Sequence, residues 1–271
     1  MFVTRLISGI VLVAVALLTI CSGGWILYGT LTIVSLIGMF ELYRAVKVQK
    51  QGENLLAVVG YLGVILHYIL LSLGYSEYAM MNLIIVLIAM MFVYVFSYPK
   101  YHAEQVMAAF FSVVYVGVML SYIYQTRMLE DGDIVVWLIF LSSWGCDTCA
   151  YCAGMLLGKH KMAPKLSPKK SVEGGIGGVL GAALLGVLFA LAVNQWAGAQ
   201  AGVLEYAIIC GVGGMISQVG DLAASAIKRN HEIKDYGKLI PGHGGILDRF
   251  DSVIFTAPII YYLTMALAGN L

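Results

Sequence analysis

The sequence predicts an all-α, polytopic integral membrane protein that forms a single domain over residues 1–271. Apolar residues make up 61% of the chain and charged residues only 11%, a balance that a soluble domain does not need. Apolar stretches close to the roughly 20 residues that cross a bilayer core recur along the whole chain. They lack the alternation of a membrane-barrel strand, so each is expected to be a helix.

Nine such stretches follow one another, and each is interpreted as a membrane span. They are predicted at residues 5–21, 24–44, 55–74, 77–97, 105–124, 134–157, 176–195, 204–227 and 251–269. The first resembles a secretory signal because Arg5 precedes an apolar run. It lacks a small-residue cleavage site and a second span follows immediately, so it is interpreted as an anchor.

The distribution of cations predicts the orientation of these spans. With the N-terminus in the cytoplasm, the cytoplasmic segments contain all of the 16 Lys and Arg residues except Arg127. Two of these segments are long, and they contain five cations each: Lys159, Lys161, Lys165, Lys169 and Lys170 in one, and Lys228, Arg229, Lys234, Lys238 and Arg249 in the other. Such a bias is typical of cytoplasmic loops, so both long loops are expected on that side.

The two halves of the chain differ in character. Residues 1–124 are mostly plain hydrophobic helix and are expected to be scaffold, whereas residues 125–271 contain the long basic loops and are expected to be the catalytic half. Glu41 is the exception in the first half, and it is predicted to snorkel or to pair with Arg44. The CxxCxxC run at Cys146, Cys149 and Cys152 is predicted to pack along a helix rather than to bind metal.

Two aspartates lie inside predicted spans. Asp147 and Asp221 would each cost a few kcal/mol if they were charged and unpaired in lipid, so each is expected to face a polar cavity, an ion or a cationic partner. Asp221 shares one helical face with three other polar residues, which lie at i−3, i+4 and i+7: Gln218, Ser225 and Lys228. Asp248 and Asp251 are i,i+3 neighbours at the start of the last span, and converging carboxylates suit Mg²⁺.

The long loops also supply groups that bind phosphate. PGHGGILDRFD, from Pro241 to Asp251, is predicted to be a glycine turn that opens a helix, where free N–H groups favour an anion. Further donors and charges are expected from His243, Lys228, Arg229, Lys234 and Arg249. The earlier loop contributes Ser167, Lys169, Lys170 and Ser171 beside Gly174 and Gly175. The spacing of Gly174 and Gly178 also suits close helix packing, so Gly174 has two interpretations.

The stretch from Ser225 to Asp251 resembles the signature of the phosphatidate cytidylyltransferase family, also called CDP-diacylglycerol synthases. The resemblance is carried by Ser225, Ile227, Lys228, Arg229, Lys234, Asp235, Gly237, Ile240, Pro241, His243, Gly244, Gly245, Asp248, Arg249 and Asp251. DTCAY at 147–151 and the following GKHKMAPKLSPKKSVEGG look like a companion segment. In the C-terminal half the resemblance is carried by these motifs. The rest of the chain resembles the family only in its hydropathy.

The resemblance implies transfer of the cytidylyl group of CTP to phosphatidic acid, which releases pyrophosphate. It implies one or two Mg²⁺ ions, held by Asp221, Asp248 and either Asp251 or Asp147. Phosphates would be held by Lys228, Arg229, His243, Arg249 and the Gly244–Gly245 turn, and Ser225 and Lys234 would line the same site. The nucleotide or lipid-phosphate pocket would be completed by Asp147, Ser167, Lys169, Lys170 and Gly174.

Membrane lipids are the expected surroundings, in a bacterial inner (cell) membrane with the active site facing the cytoplasm, and no nucleic-acid partner is expected. The glycine-lined helices are the support for a homodimer. Three alternatives stay open. A CTP-dependent lipid-alcohol kinase would use a similar nucleotide site, and an ion-coupled transporter would also explain Asp147 and Asp221. A CDP-alcohol phosphotransferase is less favoured because its DGxxAR run is missing.

Overall fold

The computed structural model describes residues 2–49 and 54–267, and side chains from residue 8 onward. Lys50, the side chain of Arg5 and the end of the ninth predicted span at 268–269 lie outside these ranges. The chain divides into two compact units. The first comprises Met1–Tyr124 and His231–Arg249, and the second Gln125–Asn230 and Phe250–Leu271. The residues His231–Arg249 are called the return segment here, because they group with the N-terminal unit.

Helices account for almost all regular structure in the described residues. They are α1 (Phe2–Ser22), α2 (Gly24–Ala45), α3 (Leu55–Ser72), α4 (Ala79–Phe96), α5 (Ala103–Ser112), α6 (Met119–Arg127), α7 (Gly132–Phe140), α8 (Cys146–Leu157), α9 (Val172–Trp196), α10 (Val203–Asn230) and α11 (Leu247–Leu267). A 3₁₀ turn at Ser76–Tyr78 leads into α4. Wider π-helical turns at Val113–Val118 and Leu141–Gly145 join α5 to α6 and α7 to α8.

The helices confirm the predicted fold class. Eight helical stretches in the described chain are long and apolar enough to cross a membrane, and they coincide with the second to ninth predicted spans. The first predicted span falls on α1, whose Ser8–Ser22 part is a shorter apolar helix. The protein is therefore an all-α polytopic membrane protein.

One element was not predicted. Two short strands, β1 (Lys161–Ala163) and β2 (Ser167–Ser171), form an antiparallel hairpin in the loop between α8 and α9. Lys161 pairs with Ser171, and Ala163 pairs with Ser167. The strands were missed because their sequence is short, rich in lysine and interrupted by prolines, so it shows no alternation of apolar and polar residues.

The first unit buries polar side chains by pairing them inside an apolar core. The Tyr43 hydroxyl donates to the Ala109 carbonyl oxygen at 3.1 Å. The hydroxyls of Ser35 and Tyr68 lie 2.9 Å apart, and His67 Nε2 lies 3.1 Å from Ser121 Oγ. Water does not reach such groups inside a bilayer, so each needs a partner from the chain. These contacts fit the scaffold role expected for the region.

In the second unit, glycines allow close contact of α8, α9 and α10. A Cβ at Gly178 would lie 2.8 Å from the Ala150 Cβ and 3.0 Å from the Cys146 carbonyl oxygen on α8. A Cβ at Gly214 on α10 would lie 3.1 Å from the Ala182 Cβ on α9. Cys146 is buried at this contact and Cys149 faces Gly181. The packing predicted for the three cysteines is therefore confirmed for Cys146 and Cys149, whereas Cys152 is exposed.

Candidate active site

A cavity of about 410 Å³ opens within the second unit. It is formed by the β2 strand, the start of α9 and the polar sides of α8 and α10. The lining residues are Asp147, Ala150, Tyr151, Gly154, Met155, Met162, Lys169, Lys170, Ser171, Gly174, Gly175, Gln218 and Asp221. This set includes five residues that the sequence assigned to the site: Asp147, Lys169, Lys170, Gly174 and Asp221.

An ion pair is the main polar feature of this cavity. The Lys170 ammonium, at the end of β2, contacts Asp221 Oδ2 on α10, and both side chains are about 25% exposed. A carboxylate inside an apolar helix needs a cationic partner or an ion. Lys170 is that partner, which agrees with the expectation that Asp221 faces a cationic partner, an ion or a polar cavity. The pair leaves both charges accessible from the cavity.

Gln218 fixes the wall of the cavity one turn before Asp221. Its Nε2 donates to the Gly175 carbonyl oxygen at 3.0 Å and lies 3.7 Å from the Cys146 sulfur. α10 is thereby joined to the first turn of α9 and to α8. Sequence analysis placed Gln218 on the face of Asp221 but assigned it no role.

The start of α9 is held by side chains from the hairpin. Ser171 Oγ accepts from the Gly174 N–H at 3.1 Å and caps the helix. A Cβ at Gly174 would lie 2.8 Å from the Ala150 carbonyl oxygen. The packing interpretation of Gly174 is therefore confirmed, and since its N–H is used by Ser171, phosphate contact by Gly174 stays a prediction.

Glu173, in the first turn of α9, binds the two residues that precede β1. It accepts from the Lys159 N–H at 3.0 Å and the His160 N–H at 3.2 Å, and its Oε1 lies 2.5 Å from His160 Nδ1. The sequence pattern gave no role to either Glu173 or His160. The available signal was the position of Glu173 in the first helical turn, where carboxylates are favoured.

Three carboxylates of the second unit act on each other electrostatically. The charges of Asp221, Lys228 and Asp147 all influence the Asp251 carboxyl on α11. Within the described part of the chain, no three His, Cys, Asp or Glu side chains converge closely enough to enclose a metal ion. Mg²⁺ commonly takes one or two carboxylates and completes its shell with water and substrate phosphates. The oxygen donors present therefore fit Mg²⁺ bound together with a substrate.

The return segment of the first unit contains the glycine turn. The Ile240 N–H donates to the Gly244 carbonyl oxygen at 2.8 Å, and the His243 N–H donates to the Ile240 carbonyl oxygen at 2.9 Å. Pro241 and Gly242 occupy the corner, and Gly242 has φ +78°. Glycine adopts this conformation without strain. The predicted flexible turn is thus a defined, hydrogen-bonded one.

His243 is oriented by α1. Its Nδ1 lies 2.8 Å from Ser8 Oγ, and the same hydroxyl lies 3.0 Å from the Pro241 carbonyl oxygen. The ring is therefore held at the turn through one of its two nitrogens. Its role toward phosphate stays a prediction.

Asp248 is buried, with an exposed fraction of 5%. Its Oδ2 accepts from the Tyr236 N–H at 2.8 Å and from the Gly245 N–H at 2.9 Å. These hydrogen bonds close the return segment on itself at the start of α11. Its role as a metal ligand is not tested by this geometry and stays a prediction.

Glu41 is a site residue that sequence analysis misjudged. Its side chain is 3% exposed, and its two carboxylate oxygens accept from the Ile246 N–H at 3.1 Å and the Leu247 N–H at 2.9 Å. Arg44 donates to the Tyr236 carbonyl oxygen instead. The prediction that Glu41 snorkels is therefore wrong, and the predicted pairing with Arg44 is limited to the effect of its nearby charge. A buried carboxylate is stabilised when it accepts hydrogen bonds from the N–H groups at the start of a helix, because these groups have no partner within the helix.

These contacts also correct the expected anion site at the start of α11. The N–H groups of Gly245, Ile246 and Leu247 donate to carboxylates of the chain itself. The predicted mechanism, free N–H groups aimed at phosphate, does not hold for these three. The Gly245 N–H is thus already used by Asp248, and phosphate contact by the Gly244–Gly245 turn stays a prediction.

The predicted site residues are therefore divided between the two units. His243, Gly244, Gly245, Asp248, Arg249 and Lys234 belong to the first unit. Asp147, Ser167, Lys169, Lys170, Gly174, Asp221, Ser225, Lys228, Arg229 and Asp251 belong to the second. Ser167 begins β2, while Lys234 and Arg229 are exposed.

A multispan helical fold with a cavity that contains the Lys170–Asp221 ion pair is typical of a membrane-embedded enzyme. A sequence profile described as the cytidylyltransferase family matches residues 3–267. A phosphatidate cytidylyltransferase of Staphylococcus epidermidis is 34% identical over 265 residues, 96% of this chain and 97% of the relative. One of Staphylococcus aureus is 34% identical over 267 residues, again 96% and 97%. One of Bacillus subtilis is 31% identical over 84% of each chain.

The chain belongs to the cytidylyltransferase family, and it is a nucleotidyltransferase. The resemblance identified from the signature stretch is thereby confirmed. It extends beyond the C-terminal motifs, because the match also covers the helices of the N-terminal half.

Proposed function

We propose that this protein transfers the cytidylyl group of CTP to phosphatidic acid, forming CDP-diacylglycerol and pyrophosphate for phospholipid synthesis. The names of the relatives support this reaction. The observation that carries the proposal is the contact of Lys170 with Asp221 inside the cavity of the second unit. The lysines of this cavity can bind a polyanion, and its carboxylates can bind the divalent cation that accompanies a nucleotide.

The chemistry requires no general base from the protein. A phosphomonoester such as phosphatidate has a second pKa of about 6, so much of it is dianionic at neutral pH. One of its oxygens attacks the α-phosphorus of CTP and forms the new P–O bond. The bond between the α-phosphorus and the bridging oxygen breaks, and pyrophosphate leaves with that electron pair. The obstacle is repulsion between two anions.

The basic side chains lower this repulsion. Lys169 and Lys170 line the cavity, and Lys228 follows on α10. Cations fixed beside the reacting phosphates stabilise charge that grows on the leaving group and cost little reorganisation. Lys170 can move from Asp221 to a substrate phosphate, because both side chains are partly exposed. Gln218 and Ser171 keep the walls in place meanwhile.

Mg²⁺ would be held by carboxylates of the second unit, among Asp221, Asp251 and Asp147, and a metal-binding role for Asp248 stays a prediction. When bound, it supplies charge neutralisation and orientation of the phosphates. Asp221 suits this role because Mg²⁺ can replace the Lys170 ammonium as the cation beside its carboxylate.

The enzyme would face the cytoplasm in a bacterial cell membrane. The relatives are bacterial, and the cation bias supports a cytoplasmic location for the return segment and for the hairpin between α8 and α9. CTP would then arrive from water and phosphatidic acid from the adjacent leaflet. A cavity near the membrane surface serves both.

Isotope labelling tests the reaction and distinguishes it from a CTP-dependent lipid kinase. Purified protein with phosphatidic acid, Mg²⁺ and CTP labelled at the α-phosphate is expected to give labelled lipid, with unlabelled pyrophosphate released. CTP labelled at the γ-phosphate is expected to label pyrophosphate only. Chromatography of the lipid and aqueous phases checks both results. Label from the γ-phosphate in the lipid would mean that the protein is a kinase instead.

Cysteine labelling tests the orientation. In a background with Cys21 and Cys152 replaced by alanine, Lys165→Cys is expected to react with an impermeant maleimide only after the cytoplasmic face is opened. Gln200→Cys, between α9 and α10, is expected to react in intact spheroplasts and serves as the control. Both positions are exposed. The opposite pattern of labelling would reverse the proposed topology.

A further inference from the structure

The cytoplasmic end of α2 holds the return segment at two points. Glu41 accepts the N–H groups of Ile246 and Leu247, where α11 begins. Arg44 Nη2, one turn later, donates to the Tyr236 carbonyl oxygen at 2.9 Å. The two side chains are i,i+3 neighbours and therefore lie on the same side of the helix. One helical turn of α2 thus fixes both ends of residues 236–247.

The fit around Glu41 is tight. The position that a Cβ would take at Gly237 or at Gly245 overlaps the Glu41 carboxylate. Gly237 and Gly245 are themselves in contact, since a Cβ on Gly237 would lie 3.0 Å from the Gly245 Cα. Asp248 joins the same two regions from inside, through the N–H groups of Tyr236 and Gly245. The backbone of the return segment is therefore built around two buried carboxylates.

A buried charge is costly unless several donors satisfy it. Each of these two carboxylates accepts from two backbone N–H groups, so both are committed to holding this segment. The segment that these contacts fix contains His243 and Gly244, and it leads into Asp248 and Arg249. These are residues that the family resemblance assigns to phosphate and metal.

We propose that Glu41 and Arg44 are positioning residues for the reaction: from the N-terminal half, they hold residues 236–247 in the geometry that the predicted phosphate ligands need. This inference rests on the proposed cytidylyl transfer for its kinetic readout only. The contacts themselves also predict that the backbone of this segment is protected from hydrogen exchange. The reaction rate and the exchange rate can each be measured without the other.

The kinetic test compares Glu41→Gln and Arg44→Gln with wild type in detergent micelles containing phosphatidic acid. Both variants are expected to lower kcat per mole of folded protein by about tenfold or more, because small misplacements of reacting groups have large effects on rate. Arg44→Lys keeps a donor for the Tyr236 carbonyl oxygen and is expected to recover most of the rate. Ser35→Ala, which removes a buried hydrogen bond elsewhere on α2, is the matched control and is expected to keep wild-type kcat.

Hydrogen–deuterium exchange supplies the second measurement. Peptides covering 237–247 are expected to exchange about tenfold faster in both glutamine variants, while peptides of α3 and α9 stay at the wild-type rate. Wild-type kcat together with unchanged exchange in Arg44→Gln would overturn the proposal. So would a loss of kcat in Arg44→Gln with unchanged exchange at 237–247, since the residue would then act elsewhere.

The outcomes stay distinguishable if one part fails. If Glu41→Gln does not fold, the exposed Arg44 still decides the matter, because its glutamine and lysine variants change a surface group. If wild-type protein forms no CDP-diacylglycerol, the proposed function fails. The exchange measurement on the same samples then still supports or overturns the structural half of the inference.

Discussion

Replacing Asp221 by asparagine is expected to lower the rate of CDP-diacylglycerol formation by at least about 100-fold, the usual effect of removing one preorganised electrostatic group. The substitution keeps the shape of the side chain and removes its charge. Lys170 then loses its carboxylate partner, and the cavity loses the ligand that we propose for Mg²⁺. Initial rates with phosphatidic acid, CTP and varied Mg²⁺ measure the effect.

Asp133→Asn is the control for this change. Asp133 lies in the first turn of α7, in the same unit, and is exposed and outside the cavity. We expect its variant to keep wild-type rates. Wild-type turnover in folded Asp221→Asn protein would remove Asp221 from the catalytic residues, whatever the role of the other acids.

The second large effect is expected from Gly178→Val. A valine Cβ would lie 2.8 Å from the Ala150 Cβ and 3.0 Å from both the carbonyl oxygen and the sulfur of Cys146. Carbonyl groups of a helix cannot move aside as a flexible side chain can, so α8 and α9 must separate. We expect the free energy of unfolding to fall by about 3 kcal/mol, the upper end for an overpacked core.

Thermal unfolding in detergent checks this expectation, and a drop of roughly 5–10 °C in the midpoint corresponds to that loss. Gly211→Ala is the control, because its Cβ would meet the Ala183 Cβ at 3.5 Å, an ordinary contact. An unchanged midpoint for Gly178→Val would contradict the close α8–α9 packing. A fall in both variants would point to a general cost of replacing helix glycines.

The membrane fold could be predicted from the sequence because its signal is long and strong. Each span needs about 20 apolar residues, and eight helices appear where the hydropathy placed them. The hairpin at 161–171 could not be predicted in this way. Its strands are three and five residues long, and its position depends on Ser171 and Glu173 rather than on an apolar pattern.

One expectation about the candidate site could be derived from the sequence, because a carboxylate inside an apolar helix needs a polar or charged partner. Asp221 was expected to have such a partner, and Lys170 on β2 supplies it. The role of Glu41 could not be derived from spacing, because its partners Ile246 and Leu247 are about 200 positions away. Its one visible signal was a carboxylate near the end of an apolar helix, and local pairing with Arg44 explained that signal equally well.

The grouping of the return segment with residues 1–124 has a consequence for how this enzyme can be divided. A fragment beginning at Gln125 would contain the whole signature stretch but neither Glu41, Arg44 nor Ser8, the residues that hold its turn. The chain is therefore not a catalytic module joined to an exchangeable anchor. In chimaeras between relatives, the C-terminal end of α2 and the return segment must be exchanged together.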